Sequence, residues 1–226
     1  MSWRGALVAL LCLALRGADP AWDLQATLAA DGRSLAVEGA FAPGDADTFL
    51  VEAEAAPFVS GVEVARGGRW EPVPEVDGQW RVQGAEARGA RLRWRFDLAA
   101  ASAVRGSGVR RFGGGYLARP RTFVLRPEAF LTGRAARLAV ATPPGLAFVS
   151  GLGPDLAPVA TTVDALDRGP EAGFGPFRIA RFPARGGTLA AVAPAGAFPL
   201  TETQELRWFQ ASVRALEDAY GRLPLP

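Results

Sequence analysis

The segment Arg91-Leu92-Arg93-Trp94-Arg95-Phe96-Asp97-Leu98 decides the fold class, because charged and large apolar side chains alternate along its whole length. A period of two places all four apolar residues on one face of a β-strand and the charged residues on the other face. We therefore predict a strand that buries one face in a core and exposes the other to solvent.

The same period of two recurs on both sides of this segment. An alternating run begins at Trp22 and ends at the turn signal Asp31-Gly32, and the run from Leu35 to Phe41 follows as the return strand of a hairpin. Further candidate strands are Thr48–Glu54, Phe58–Val64, Gln79–Val82, Thr122–Leu125, Arg137–Ala141, Phe177–Phe182 and Thr188–Val192. Many short strands separated by turns predict a mainly β protein, built as an antiparallel β-sandwich. The Gly-rich stretches 106–115 and 151–175 are predicted to be long loops.

The last part of the sequence changes period and predicts one C-terminal amphipathic helix. Its apolar residues recur at steps of three and four positions: Leu206, Phe209, Val213, Leu216 and Tyr220. Thr201 and Gln204 have the spacing of a capping box, and Gly221 followed by Pro224 is a stop signal. We assign residues 22–199 to the β-sandwich and residues 200–226 to the helix and its exit.

The first residues are typical of an export signal. Arg4 precedes the apolar run ALVALLCLAL, and small residues follow between Gly17 and Ala21. We predict a signal peptide over residues 1–21 and a secreted or periplasmic protein. The run is shorter than the roughly 20 residues that cross a bilayer, so we expect no integral membrane span after cleavage. Because Cys12 lies inside the run, the mature chain is expected to have no disulfide.

Composition argues against several classes of function. The 226 residues include 25 basic and 23 acidic ones, which is far from the basic excess of a nucleic-acid-binding domain. Histidine is absent, so the commonest zinc ligand and the commonest general base are both missing. We therefore expect no catalytic residue, no metal site and no cofactor in this chain, and no enzymatic activity of its own.

Two groups of residues remain as candidates. Asp45, Asp47 and Glu52 lack the spacing of a calcium loop and are interpreted as a polar turn. Arg110, Arg111 and Tyr116 could line a groove that binds a carboxylate or a peptide carbonyl; the competing interpretation is an exposed, solvated loop. A glycosidase that uses two carboxylates is a further alternative, although no spacing selects a pair among the acidic residues.

Three segments, taken in order, resemble a known family. They are Phe112–Pro127 (FGGGYLARPRTFVLRP), Gly175–Phe182 (GPFRIARF), and Leu206–Phe209 continuing to the exit Tyr220–Pro226 (YGRLPLP). Together they resemble the N-terminal domain, and the entry into the catalytic domain, of bacterial glycyl aminopeptidase-like zinc metallopeptidases of the gluzincin group. The resemblance implies a downstream catalytic domain in which a His-Glu-x-x-His helix and a later Glu hold zinc. None of those residues occurs in this chain.

The sequence therefore supports two hypotheses. In the first, the chain is a non-catalytic N-terminal β domain that scaffolds or covers the substrate cleft of a zinc aminopeptidase-like protein, and its partners are a missing catalytic domain or companion chain and peptides. In the second, it is a stand-alone periplasmic or extracellular β-sandwich binding module. An uncovered apolar stripe on the C-terminal helix would argue against the second hypothesis, because it marks a lost interface.

Overall fold

The computed structural model describes residues 19–152, 159–185, 187–194 and 200–221. Most of the predicted signal peptide, residues 1–18, lies outside the described residues, as do residues 195–199 and the Arg222–Pro226 exit.

The described part of the chain is mainly β, with one long helix at its C-terminal end. The strands are Trp22–Leu28 (β1), Ser34–Phe41 (β2), Thr48–Leu50 (β3), Val59–Arg66 (β4), Arg69–Pro72 (β5), Glu75–Val76 (β6), Gln79–Arg81 (β7), Ala90–Asp97 (β8), Val109–Phe112 (β9), Gly115–Ala118 (β10), Arg126–Pro127 (β11), Ala135–Ala141 (β12), Ala147–Ser150 (β13), Val159–Thr162 (β14), Ala172–Gly175 (β15), Phe177–Ala184 (β16) and Gly187–Pro194 (β17). The helices are Ala85–Arg88 (α1), Leu98–Ser102 (α2), Pro120–Phe123 (α3), Val163–Arg168 (α4) and Glu202–Tyr220 (α5), with a 3₁₀ helix at Ala53–Phe58. The predicted fold class is confirmed.

The strands form several sheets around one core. A seven-stranded sheet has the order β14-β12-β1-β2-β8-β4-β5, and two four-stranded sheets have the orders β13-β15-β10-β9 and β11-β3-β7-β6. Most pairs are antiparallel, but β1 and β12 run parallel, which the sequence did not predict. Buried residues of all three sheets belong to one hydrophobic cluster. We call residues 19–175 the β body.

Strand β8 lies inside the seven-stranded sheet, as its alternation predicts. Leu92, Trp94 and Phe96 are almost fully buried, whereas the arginines between them are exposed. The indole Nε1 of Trp94 donates to the carbonyl oxygen of Phe123 at 2.9 Å, which satisfies the polar atom of this buried ring. The segment that decides the fold class therefore also joins the large sheet to α3.

The candidate strand Thr122–Leu125 is wrong, because α3 occupies Pro120–Phe123. Proline favours the first position of a helix, since its fixed φ suits the helix and its missing N–H is not needed there. Arg119 is extended and precedes this proline. The apolar residues of this segment are buried as expected, but in a helical turn and not in a strand.

The two predicted loops are more ordered than expected. Residues 109–118 form the hairpin β9–β10, whose tip is Gly113-Gly114. Both tip glycines have positive φ, 51° and 79°, which suits a two-residue hairpin turn. The described part of 151–175 contains β14, α4 and β15. In the described parts of these stretches, glycine supplies turns and close strand contacts.

The last two strands and the helix form a separate sheet and its cover. Strands β16 and β17 pair only with each other among the described residues, and α5 packs against β16. We call β16, β17 and α5 the C-terminal unit. The capping box is confirmed, with Thr201 and Gln204 exchanging side-chain and backbone hydrogen bonds, and Gly221 ends the helix.

Candidate functional site

The hairpin β9–β10 carries the three candidate binding residues, and its register separates them. Arg111 lies opposite Tyr116, and Arg110 lies opposite Leu117. Directly opposed residues share a face of a sheet, and successive residues point to opposite faces. Arg111 and Tyr116 therefore share one face, and Arg110 lies on the other.

Arg110 already forms an ion pair with Glu171. Its Nε and Nη2 atoms donate to Glu171 Oε1 at 3.0 Å and Oε2 at 2.6 Å, which is the bidentate geometry that suits a guanidinium and a carboxylate. Hydrogen bonding from Arg110 lowers the pKa of Glu171, and the same contact raises the pKa of Arg110. This pair links β9 to the residue just before β15.

Arg111 and Tyr116 line one cavity of about 420 Å³, which we call the Arg33–Arg111 cavity. Asp31 and Arg33 reach it from the turn between β1 and β2, and Ser102 reaches it from the end of α2. The backbone N–H of Ala99 in α2 donates to the carbonyl oxygen of Arg33 at 3.1 Å. This bond holds the β1–β2 turn beside α2, and α2 packs on β9 and β10.

Sequence reasoning missed Arg33 and Asp31 as members of this cavity. Asp31-Gly32 was recognised as a turn, and Asp31 Oδ1 does close that turn by accepting the N–H of Arg33 at 3.0 Å. The turn lies far along the chain from Arg111, so only the tertiary fold brings the two arginines to one cavity.

A larger cavity, of about 630 Å³, lies beside β3 and β7. Its charged lining includes Glu52, which pairs with Arg121, and Arg126, which pairs with Asp167 at 2.9 Å. Glu75 and Asp77 also line this cavity and form no ion pair with a described residue, so its unpaired charge is negative and does not suit an anionic ligand.

The acidic residues Asp45, Asp47 and Glu52 do not converge on a metal site. Asp45 is buried and accepts hydrogen bonds from the indole of Trp22 at 2.9 Å and from Arg134 at 2.8 Å. Asp47 accepts the backbone N–H groups of Gly84 and Glu86, and these bonds lower its pKa. Each carboxylate thus stabilises a different loop.

Within residues 19–152, 159–185, 187–194 and 200–221, no group of three or more His, Cys, Asp or Glu side chains could hold a metal ion. In the same ranges, no helix has the length and apolar character needed to cross a membrane.

The C-terminal unit is held together by ion pairs. Arg178 of β16 donates to Glu202 at 2.6 Å and to Glu205 at 2.8 Å, and Glu202 raises the pKa of Arg178. At the other end of the strand, the N–H of Arg185 donates to Glu217. Glu205 and Glu217 are the buried residues of α5, each only 8% exposed.

The apolar stripe of α5 is covered only in part. Leu206 and Phe209 face small residues of the two strands across a cavity of about 190 Å³. Further along, Leu216 is 46% exposed and Tyr220 is 73% exposed. Trp208 stacks edge-on against Phe209 and is 60% exposed.

Comparisons with known proteins support a fold relationship. No protein-family model matches the chain, and no curated protein matches it. Among solved structures, it is similar to an aminopeptidase N family protein from Idiomarina loihiensis, with a TM-score of 0.61 at 11% identity over 90% of this chain. It is also similar to Legionella pneumophila aminopeptidase A in complex with aspartic acid, with a TM-score of 0.51, again at 11% identity over 90% of this chain.

The chain spans 37% of the first of these proteins and 27% of the second. At 11% identity the likeness shows the fold alone. The chain therefore shares its fold with one part of these larger aminopeptidases.

Proposed function

We propose that this chain is the non-catalytic N-terminal β domain of a secreted zinc aminopeptidase-like protein. It acts together with a catalytic domain that is present in the same polypeptide or in a companion chain. Support comes from the family resemblance of its sequence segments and from the fold it shares with one part of two aminopeptidases.

One observation carries this proposal: α5 presents Trp208, Leu216 and Tyr220 to solvent while its contact with the hairpin relies on buried glutamates. A helix normally buries its apolar stripe and exposes its charges. Leu216 and Tyr220 are neighbours one turn apart on the helix, and adjoining exposed apolar side chains are typical of an interface. We assign this surface to contact with the catalytic domain.

The role of the β body in this arrangement is to scaffold the catalytic domain and cover one side of its substrate cleft. The tip of the β9–β10 hairpin lies against the C-terminal unit, since Phe112 packs on Phe177 with ring centroids 6.4 Å apart. A domain docked on α5 therefore lies near this hairpin, and substrate peptides reach the cleft alongside it.

Zinc belongs to the proposed partner domain and not to this chain. The donor set needed for a catalytic zinc is three protein ligands, usually including histidine. The sequence has no histidine, and among the described residues no three carboxylates come together in a way that could hold a metal ion.

The competing function is a stand-alone binding module. It requires α5 to be covered by its own domain, and the described residues leave the second half of the stripe exposed. The observed exposure favours the first proposal.

The first test examines the coding sequence after Pro226 and the neighbouring genes. We expect His-Glu-x-x-His with a later Glu within about 150 residues, the length of one further domain. The purified chain alone is expected to unfold cooperatively, to lack stoichiometric zinc and to hydrolyse no aminoacyl substrate. Reproducible turnover by the chain alone, or the lack of any such coding segment, contradicts the proposal.

The second test uses the protein formed by this chain and that segment. Hydrogen exchange in α5 should slow relative to the chain alone, because the exposed face becomes covered. Replacing Trp208 and Leu216 by serine should weaken the association and reduce aminopeptidase activity. The control, Arg214→Ser, changes an exposed polar residue of the same helix and should leave both unchanged. If the serine replacements at Trp208 and Leu216 and the Arg214→Ser control give equal association and activity, α5 is not the interface.

A further inference from the structure

We propose that the Arg33–Arg111 cavity binds a carboxylate group of a peptide ligand. This inference goes beyond the proposed function, because the cavity lies within the β body and exists whether or not a catalytic domain joins α5.

Tyr116 gives the first argument. The residue is only 7% exposed and lines the cavity. The ring is buried, but the hydroxyl is open to the cavity, where it can donate and accept hydrogen bonds. Within the part of the chain that the structure describes, the hydroxyl of Tyr116 makes no hydrogen bond. A ligand in the cavity can supply a partner.

The two arginines give the second argument. Arg33 and Arg111 reach the cavity from different hairpins, and neither guanidinium forms an ion pair with any described residue. A guanidinium presents its N–H groups in a planar fork that matches a carboxylate. Arg110, the neighbour of Arg111, shows this geometry with Glu171 on the opposite face of the hairpin.

The charge and size of the cavity favour a carboxylate over a more highly charged anion. Two guanidiniums and the carboxylate of Asp31 leave a net charge of one positive unit among the lining groups. A single carboxylate neutralises that charge, whereas a dianion is also repelled by Asp31. The volume of about 420 Å³ falls in the range of roughly 300 to 1,000 Å³ that small ligands occupy.

The carboxylate can come from the C-terminus of a peptide or from an acidic side chain. Three probes distinguish these sources: acetyl-Ala-Ala with a free C-terminus, its C-terminal amide, and the amide of acetyl-glutamate, in which only the side chain is ionised. The purified chain is titrated with each probe and followed by calorimetry and by amide chemical shifts.

We expect saturable binding of at least one acid and none of acetyl-Ala-Ala amide. The acid that binds more tightly identifies the source. Arg111→Gln and Arg33→Gln should each weaken binding about 10-fold or more, the scale of a lost charge-assisted hydrogen bond. Tyr116→Phe should weaken binding by a smaller factor, because it removes a neutral hydroxyl and keeps the ring.

Arg110→Gln is the matched control, since it removes the same charge one residue away on the other face. It should leave the affinity for the acids unchanged. Absence of saturation, equal binding of the amide, or an equal loss in Arg110→Gln overturns the proposal, because each outcome indicates no site or only diffuse attraction to positive charge. Circular dichroism of each variant verifies that the fold is retained.

Discussion

The β body and the C-terminal unit are stabilised by different kinds of interaction. The β body buries large apolar side chains such as Trp22, Trp94 and Phe174 and leaves most charges in solvent. In the described part of the C-terminal unit, Phe182 is the only buried apolar side chain, while the buried Glu205 accepts from Arg178 of β16 and the buried Glu217 accepts from Arg185, just after that strand.

This difference shows which region can be stable on its own. Burial of apolar surface is the main favourable term in folding, whereas a buried ion pair offsets much of its attraction by desolvation. A two-stranded hairpin is marginal without further strands or a packed helix face. The β body therefore has its own core, and the C-terminal unit gains stability from whatever covers α5.

The largest expected effect is a difference in the free energy of unfolding between two tryptophan variants, one in each region. Trp94→Ala should lower the free energy of unfolding by about 3–5 kcal/mol, because it opens a cavity in the core and removes the bond to Phe123. Trp208→Ala should change it by no more than about 0.5 kcal/mol, because the ring is mostly exposed. Urea denaturation of both variants measures the difference.

Similar losses in the two variants contradict the comparison, since they place Trp208 in a core of this chain. The m-value of each transition checks that both variants unfold from the same compact state.

The second prediction concerns the ion pairs of the C-terminal unit. Arg178→Ala leaves Glu205 buried without its cation, so the contact between α5 and β16 should weaken. Hydrogen exchange should accelerate in α5 and stay unchanged in β8. Arg181→Ala, an exposed change on the same strand, is the control. Acceleration throughout the β body would show that the two regions unfold as one.

The sequence predicts the strands of the β body correctly where polar and apolar residues alternate with a period of two. In β8 the alternation of arginine with large apolar residues matches the observed burial position by position, because a sheet with one solvated face imposes that period. The capping box of α5 is equally local, and it was predicted from Thr201 and Gln204 alone.

The errors occur where tertiary contacts override local pattern. Thr122–Leu125 resembles a strand, yet Pro120 starts a helical turn and Trp94 binds its last carbonyl. The stripe of α5 leaves open which surface covers it; in the structure Arg178 and the N–H of Arg185 bind Glu205 and Glu217, which are the buried residues of the helix. No local signal reports which surface a helix will meet.

The candidate site shows the same division. The alternation of residues along β9 and β10 places Arg111 and Tyr116 on one face of the hairpin, which the sequence pattern could have predicted. It places Arg110 on the other face, where it pairs with Glu171. Arg33 joins them through the packing of α2, and that contact joins residues far apart in the sequence.

The smallest expected effect tests the contact between the two regions. Gly113 and Gly114 both have positive φ, so alanine at either position should cost about 1 kcal/mol of backbone strain. They differ in what a Cβ would meet: at Gly113 it would lie 1.9 Å from Cβ of Pro194 in β17, and at Gly114 the nearest atom is Cγ of Pro176 at 3.6 Å. Gly113→Ala should therefore push β17 away and accelerate its hydrogen exchange, whereas Gly114→Ala should not. Equal exchange of β17 in the two variants would mean that the C-terminal unit does not rest on the hairpin tip, and that the β body and the C-terminal unit meet elsewhere.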